Sequence, residues 1–261
     1  MGKRIRTAVA ALFVAAVLAG SSGCAAGPTS TYTDAAGQEV TVNWRDYPLH
    51  AYTMPDDVLA APVKEETEEV SAAILSEIKT ALGNEFDLEW NARGEQGWYP
   101  SSGNGYGGDA MTTTWNSVGW ESDTVPASTA EWDKVMSMAS RITRAHGLGP
   151  VQLTYHGDTF KNDPEWQREL TENYGTADPQ ELWWWDGTAH SGMQWLSIRI
   201  VDVDRDPTGK AVKEYEQSSL PPRSVSISYG ITTVSRADRA ALEQALEPFT
   251  GLTPPTPTTS D

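Results

Sequence analysis

Apolar residues recur at helical spacing in four stretches of the chain. Val70, Ala73, Ile74, Ile78, Ala81 and Leu82 fall on one face of a helix predicted over 64–82. Glu65, Glu66, Glu68 and Glu69 crowd its first turns, where negative charge suits the helix dipole, and Gly83 is placed to end it. Ser128 and Glu131 have the spacing of a capping box, followed by a stripe of Trp132, Val135, Met136, Ala139 and Ile142 up to Gly147. Asp163-Pro164 starts a shorter helix in which Trp166, Leu170 and Tyr174 share a face before Gly175. Ser235 and Asp238 cap a last one carrying Ala241, Leu242, Ala245, Leu246 and Phe249.

Between these stretches the period drops to two, as in strands. Phe86, Leu88 and Trp90 alternate, as do Val151, Leu153 and Tyr155. Leu196, Ile198 and Ile200 alternate with Trp195, Val201 and Val203 on the other side, and Val225, Ile227, Tyr229 and Ile231 form the clearest case. Residues 112–120 read as a further strand. Helix 64–82, strand 86–91 and strand 112–120 form one helix–strand–strand unit; helix 128–146, strand 151–156 and strand 195–203 form a second. No sequence identity links the two. This order predicts an α+β fold, an antiparallel sheet with amphipathic helices packed on one face.

The first residues carry an address. Lys3, Arg4 and Arg6 precede an uncharged apolar run from Ala8 to Gly20, and Ser21-Ser22-Gly23 lead into Cys24. This is the layout of a secretory leader, and the run is shorter than the roughly 20 residues a membrane span needs. A cysteine directly after small residues resembles a bacterial lipobox, although Ser21 stands where leucine is usual. Residues 1–23 are thus expected as a leader. Residues 24–39 are expected as a lipidated Cys24 with a flexible tether, 40–250 as one α+β domain, and 251–261 as a disordered Pro/Thr tail. Two acyl chains, as on a diacylated cysteine, suffice for stable anchoring. The expected location is the outer face of the cell membrane.

Charge narrows the partners. Without Lys3, Arg4 and Arg6, the 19 basic residues become 16 against 36 acidic ones, a formal charge of about −20. Such a surface repels nucleic acid, so neither DNA nor RNA is expected as a partner. With Cys24 the single cysteine, zinc-finger and redox motifs are excluded.

The stretch Trp115-Asn-Ser-Val-Gly-Trp120, Val125-Pro126, Trp132, Met136, Ala139, Ile142, Gly147-Leu148, Val151-Gln152-Leu153 resembles the LppA-like lipoproteins of actinobacteria over roughly residues 64–160, together with the lipobox. The resemblance implies an envelope location and an α+β fold. It brings no catalytic residues.

Two constellations are chemically suggestive. Asp202, Asp204 and Asp206 alternate, as carboxylates around calcium can, yet Pro207 and Lys213 stand where a helix–loop–helix calcium site needs Gly and Glu. Trp98 and the run Trp183-Trp184-Trp185-Asp186 suggest a ligand platform, because three successive tryptophans are expected to leave at least one exposed. Asp186, His190 and Gln194 would suit sugar hydroxyls there. The four histidines His50, His146, His156 and His190 lack metal-ligand spacing, and no nucleophile elbow or phosphate loop is present. These features favour a non-enzymatic binding or envelope-support role, with a membrane, a cell-wall glycan or an envelope protein as partner. The alternatives are a glycan-binding module and an envelope hydrolase with paired carboxylates.

Overall fold

The computed structural model describes residues 27–259, apart from His156, Asp158, Thr159, Lys161 and Ser219. The expected leader and Cys24 lie outside the described residues. The chain runs β1 (Thr29–Thr33), β2 (Glu39–Asn43), α1 (Pro55–Ala60), α2 (Thr67–Phe86), β3 (Asn91–Arg93), β4 (Gly97–Pro100), β5 (Thr113–Asn116), β6 (Gly119–Ser122) and α3 (Thr129–Ala145). It continues with β7 (Gln152–Leu153), α4 (Pro164–Tyr174), β8 (Trp184–Ser191), β9 (Gln194–Asp202), α5 (Lys210–Gln217), β10 (Arg223–Thr233) and α6 (Arg239–Leu246). The fold is α+β, with a large antiparallel sheet. By contacts the chain divides into two compact units.

The larger unit, 54–100 and 112–239, holds an eight-stranded sheet in the order β3-β6-β10-β9-β8-β7, with β5 on β10 and β4 on β5. β10 is its axis. It pairs β9 from Arg223 to Ile231, β6 through Val225–Ile227 and β5 through Gly230–Thr233. The stretch read as one strand over 112–120 is therefore broken at Ser117. The Ser117 hydroxyl accepts from Tyr229 N at 2.9 Å and donates to Val118 O at 2.8 Å, so it fills the ladder gap where the backbone leaves register.

Val225, Ile227, Tyr229 and Ile231 point to one face of β10, level with Leu196, Ile198 and Ile200 on β9 and Trp185 and Ala189 on β8. Ile74 and Ile78 of α2 and Trp132, Val135, Met136 and Ala139 of α3 complete this core. Burying each such large side chain contributes about 1.5–3 kcal/mol. Trp132 meets Trp185 edge to face, with centroids 5.4 Å apart at 89°. Its Nε1 donates to Pro126 O at 2.8 Å, which gives the Val-Pro turn a fixed place over the core. The predicted capping box of α3 forms: Ser128 Oγ accepts from Glu131 N, and Glu131 Oε2 accepts from Ser128 N.

Several boundaries differ from the reading of the sequence. Helix α2 runs through Gly83 to Phe86 and turns at Asp87, whose φ is 55°. A Cβ at Gly83 would come within 3.1 Å of Leu88 O, so the glycine admits the returning backbone instead of ending the helix. The strand read at 86–91 does not form there, since Phe86 ends α2 and 87–90 are irregular, and β3 takes Asn91–Arg93; that read at 151–156 is reduced to Gln152–Leu153. Helix α5 was not anticipated.

The smaller unit gathers the described residues up to 53 with 101–111 and 240–259. Part of the expected tether, Thr29–Thr33, forms a hairpin with Glu39–Asn43. Trp44, Tyr47, Tyr106 and Phe249 cluster, with Trp44 5.6 Å from Tyr106 and 5.1 Å from Phe249. Buried Asn104 ties the loop to this cluster. Its Nδ2 donates to Trp44 O, Arg45 O and Tyr47 O at 2.8–3.1 Å, and its Oδ1 accepts from Tyr106 N and Gly108 N. The segment expected as a disordered tail carries bonds: Tyr106 Oη donates to Pro255 O at 2.9 Å, and Thr258 N and Thr259 N donate to Gly105 O.

Asn104→Ala removes this bridge and takes away the acceptor of the Tyr106 and Gly108 amides, at about 1–3 kcal/mol for each group stranded. Urea unfolding of the variant is expected to show a loss of at least about 3 kcal/mol. Hydrogen exchange should rise first at Tyr106 and Gly108.

Candidate functional site

The face of the sheet opposite α2 and α3 follows from the same alternation. Ser224, Ser226, Ser228 and Gly230 on β10 stand level with Val201, Arg199, Ser197 and Trp195 on β9. Those in turn stand level with Trp184, Asp186, Thr188 and His190 on β8. Glu121 lies opposite Ser226 on the other side, with Asn91 of β3 beyond it. Two central rows are hydroxyls and charged groups. One flanking row holds Trp195 and the other holds Trp184.

The hydroxyl rows floor a shallow open depression of about 440 Å³, lined by Asp186, Thr188, Ser197, Arg199, Ser226 and Ser228 among others. Arg199 grips Asp186 with both arms of its fork, Nε to Oδ1 at 2.5 Å and Nη2 to Oδ2 at 2.9 Å. The hydrogen bond to Asp186 raises the guanidinium pKa above its ordinary value, against the opposing effect of burial. The pair remains accessible, with side-chain exposures of 55% for Arg199 and 27% for Asp186. Donors on the guanidinium and lone pairs on the carboxylate are thus left for a ligand. At the outer edge Arg93 Nε donates to Glu121 Oε2 at 2.8 Å.

An aromatic cluster closes one end. Tyr155 stacks on Trp166 with centroids 4.9 Å apart and meets Trp184 edge to face at 4.9 Å. Tyr174 packs on both Trp183 and Trp184, and Tyr215 of α5 meets Trp183 at 90°. Burial raises the phenol pKa values of Tyr155, Tyr174 and Tyr215, so these rings stay neutral.

The expected tryptophan platform does not form as read. Trp183 and Trp184 are 9% exposed and Trp185 is 1% exposed. Trp185 enters the core from β8, while Trp184 faces the other way and is roofed by tyrosines. Three successive tryptophans can all be buried because both faces of the sheet are covered at that end. Trp98 lies apart on β4, three strands removed from β8 through β5, β10 and β9, and it packs on Trp115 at 6.3 Å. Of the predicted ligand-binding set, Asp186 alone lies in the depression. His190 is exposed beside it, whereas Gln194 is occupied by Tyr229 Oη at 2.8 Å. Trp195, Arg199 and the serines of β9 and β10 were missed. Their signal is the polar half of the two clearest alternations, made of small hydroxyls instead of the usual long charged chains.

The three aspartates do not gather around a cation. Asp202 is buried and faces Arg223 Nε at 3.5 Å, while Asp204 is exposed on a single turn. Asp206 caps the turn into α5, accepting from Thr208 N, Thr208 Oγ1 and Ala211 N at 2.7–3.0 Å. Among the described residues no group of three His, Cys, Asp or Glu is placed to hold a metal. His146 Nε2 is instead bonded to Glu77 Oε2 at 2.7 Å, and His156 lies outside the described residues. Burial pushes the Asp206 carboxyl up, but the bonds from Ala211 and Thr208 together outweigh it and hold the pKa below the ordinary value. A carboxyl with a depressed folded-state pKa stabilises above its unfolded pKa of about 3.9, and that stability is lost as pH falls through the folded value.

Asp206→Ala is expected to cost about 1–2 kcal/mol at neutral pH. Asp206→Asn should cost less, with its deficit shrinking below about pH 4 as the wild-type carboxyl protonates. Urea midpoints measured across that range check both. The chain matches no family model, no curated protein and no solved structure.

Proposed function

We propose that this chain is an exported lipoprotein, held by lipid on Cys24 at the outer face of the cytoplasmic membrane, that binds an envelope ligand on the open face of its large sheet without transforming it. The open face carries the binding half of this reading. A sheet surface not covered by α2 and α3 presents two rows of hydroxyls and an accessible Asp186–Arg199 pair beside a well-packed core. The solvated face of an antiparallel sheet carries polar side chains, and long charged ones would stand over the backbone. Short hydroxyl side chains leave the backbone approachable and form a floor instead.

The anchor half rests on the basic start, the uncharged run and the small residues ahead of Cys24. The likeness of 64–160 to the LppA-like lipoproteins points to the same compartment. The hydrolase alternative gains nothing from the depression: among its lining residues Asp186 is the one carboxylate, and Arg199 holds both its oxygens. Inverting or retaining glycoside hydrolysis needs a second carboxylate across from it.

Labelled palmitate is expected to enter the wild-type chain in an actinobacterial host and to be absent from Cys24→Ala, which should appear in the medium. Incorporation into the variant, or retention of the leader on the mature protein, rejects the anchor. Binding is tested by titrating envelope fractions and following backbone amide shifts. Shifts centred on Asp186, Ser197, Arg199 and Ser226 are expected. Shifts confined to the outer surfaces of α2 and α3 reject the site.

A further inference from the structure

Resting on that reading, we propose that the ligand is a neutral glycan, laid across the hydroxyl rows and stacked on Trp195. Three observations point to this chemistry.

The first is Trp195 itself. It sits opposite Gly230 in the β9–β10 ladder. A Cβ on Gly230 would lie 2.1 Å from Cζ2 and 2.2 Å from Cε2 of the indole. The ring therefore lies against the glycine backbone, on the same side of the sheet as Ser197, Ser228 and Arg199. Trp195 is half-buried, with its ring held against the sheet, and it stands two residues along β9 from Ser197, which lines the depression. A fixed aromatic face beside hydroxyls matches a pyranose, which presents C–H groups on its face and hydroxyls on its rim.

The second is the hydrogen-bonding character of the floor. Ser197, Ser226, Ser228 and Thr188 each both donate and accept, and the Asp186–Arg199 pair offers acceptors and donors side by side. Sugar hydroxyls need both at each position. Phosphate needs donors alone and a metal ion needs acceptors alone.

The third is charge. The chain carries a formal charge of −17, yet the ionisable side chains lining the depression are Asp186 and Arg199, which cancel. A polyanion meets repulsion from the whole chain without a basic site to repay it. A cation finds the one carboxylate already bonded. A second copy of this chain brings the same net charge, and the floor lacks the apolar centre that a stable protein interface uses. From the Trp195 row to the Asp186–Arg199 row, short of the covered Trp184, the open face runs about 13 Å along the strands. That length accommodates two or three sugar rings in a line.

The test uses the full lipidated chain in detergent micelles on an array of neutral oligosaccharides built from hexose, N-acetylhexosamine and pentose units, with polyuronic hexasaccharides and inorganic phosphate as charged controls. At least one neutral class is expected to bind saturably and to shift the indole N–H resonance that Trp195→Phe removes. Trp195→Ala should weaken that binding at least tenfold, while Trp195→Phe, which keeps a ring, should stay within about threefold. Ser226→Ala with Ser228→Ala should weaken it severalfold, and matching amide spectra of the variants establish that each is folded. The proposal falls if no neutral glycan is retained, if a charged control binds better, or if Trp195→Ala binds unchanged. Shifts of the open face by envelope fractions, in the absence of any neutral-glycan binding, sink this inference and leave the broader reading standing. Shifts of neither sink both.

Discussion

On β10, Val225, Ile227, Tyr229 and Ile231 alternate with Ser224, Ser226, Ser228 and Gly230, and the organisation of the larger unit depends on that alternation. Because β10 lies at the centre of the sheet, its apolar positions fix where α2 and α3 settle, and its small positions fix what the opposite face presents. A one-residue slip of β9 against β10 would put Ser197 and Arg199 under the helices. The core and the open face are two consequences of a single register.

Small residues on the open face have a second effect. Gly230 lets the Trp195 indole come down onto the strand, which no Cβ would permit. Ser117 similarly substitutes a side-chain oxygen for a backbone carbonyl, so that β5 and β6 both reach β10 although the chain between them leaves the ladder. The rest of the face keeps its charges paired. Arg199 is bound at two points by Asp186, and Arg93 meets Glu121 and, at 3.4 Å, Asp123. A strongly acidic chain thereby presents a nearly neutral floor.

At the far end of β8 the second face is not open. Tyr155, Tyr174 and Tyr215 cover Trp183 and Trp184, and α5 is held there by its Asp206 cap and by Tyr215 against Trp183. The aspartate run that resembles a cation loop serves this local purpose. Asp202 answers Arg223, and Asp206 satisfies amides that would otherwise be orphaned at the start of a helix.

Local pattern was enough for four of the helices and for the central strands, but not for α1 or α5. The stripes of α2, α3, α4 and α6 and the alternations of β9 and β10 are written in residues close together in the chain, and they imply an α+β sheet protein with helices over an apolar face. The proposed leader and the proposed lipidation of Cys24 also rest on the sequence alone, since signals of that kind are read in linear form. What needed tertiary structure is everything set by residues far apart. The burial of Trp183 and Trp184 depends on tyrosines supplied by other segments, and that of Trp185 on the core it shares with Trp132 of α3. The close pass of the chain at Leu88 over Gly83 joins α2 to residues beyond its end, and the pairing of Asp186 with Arg199 depends on the β8–β9 register. Periodicity tells which side chains share a face, but only the assembled sheet decides which of its two faces is covered, and the open one is where the candidate site lies.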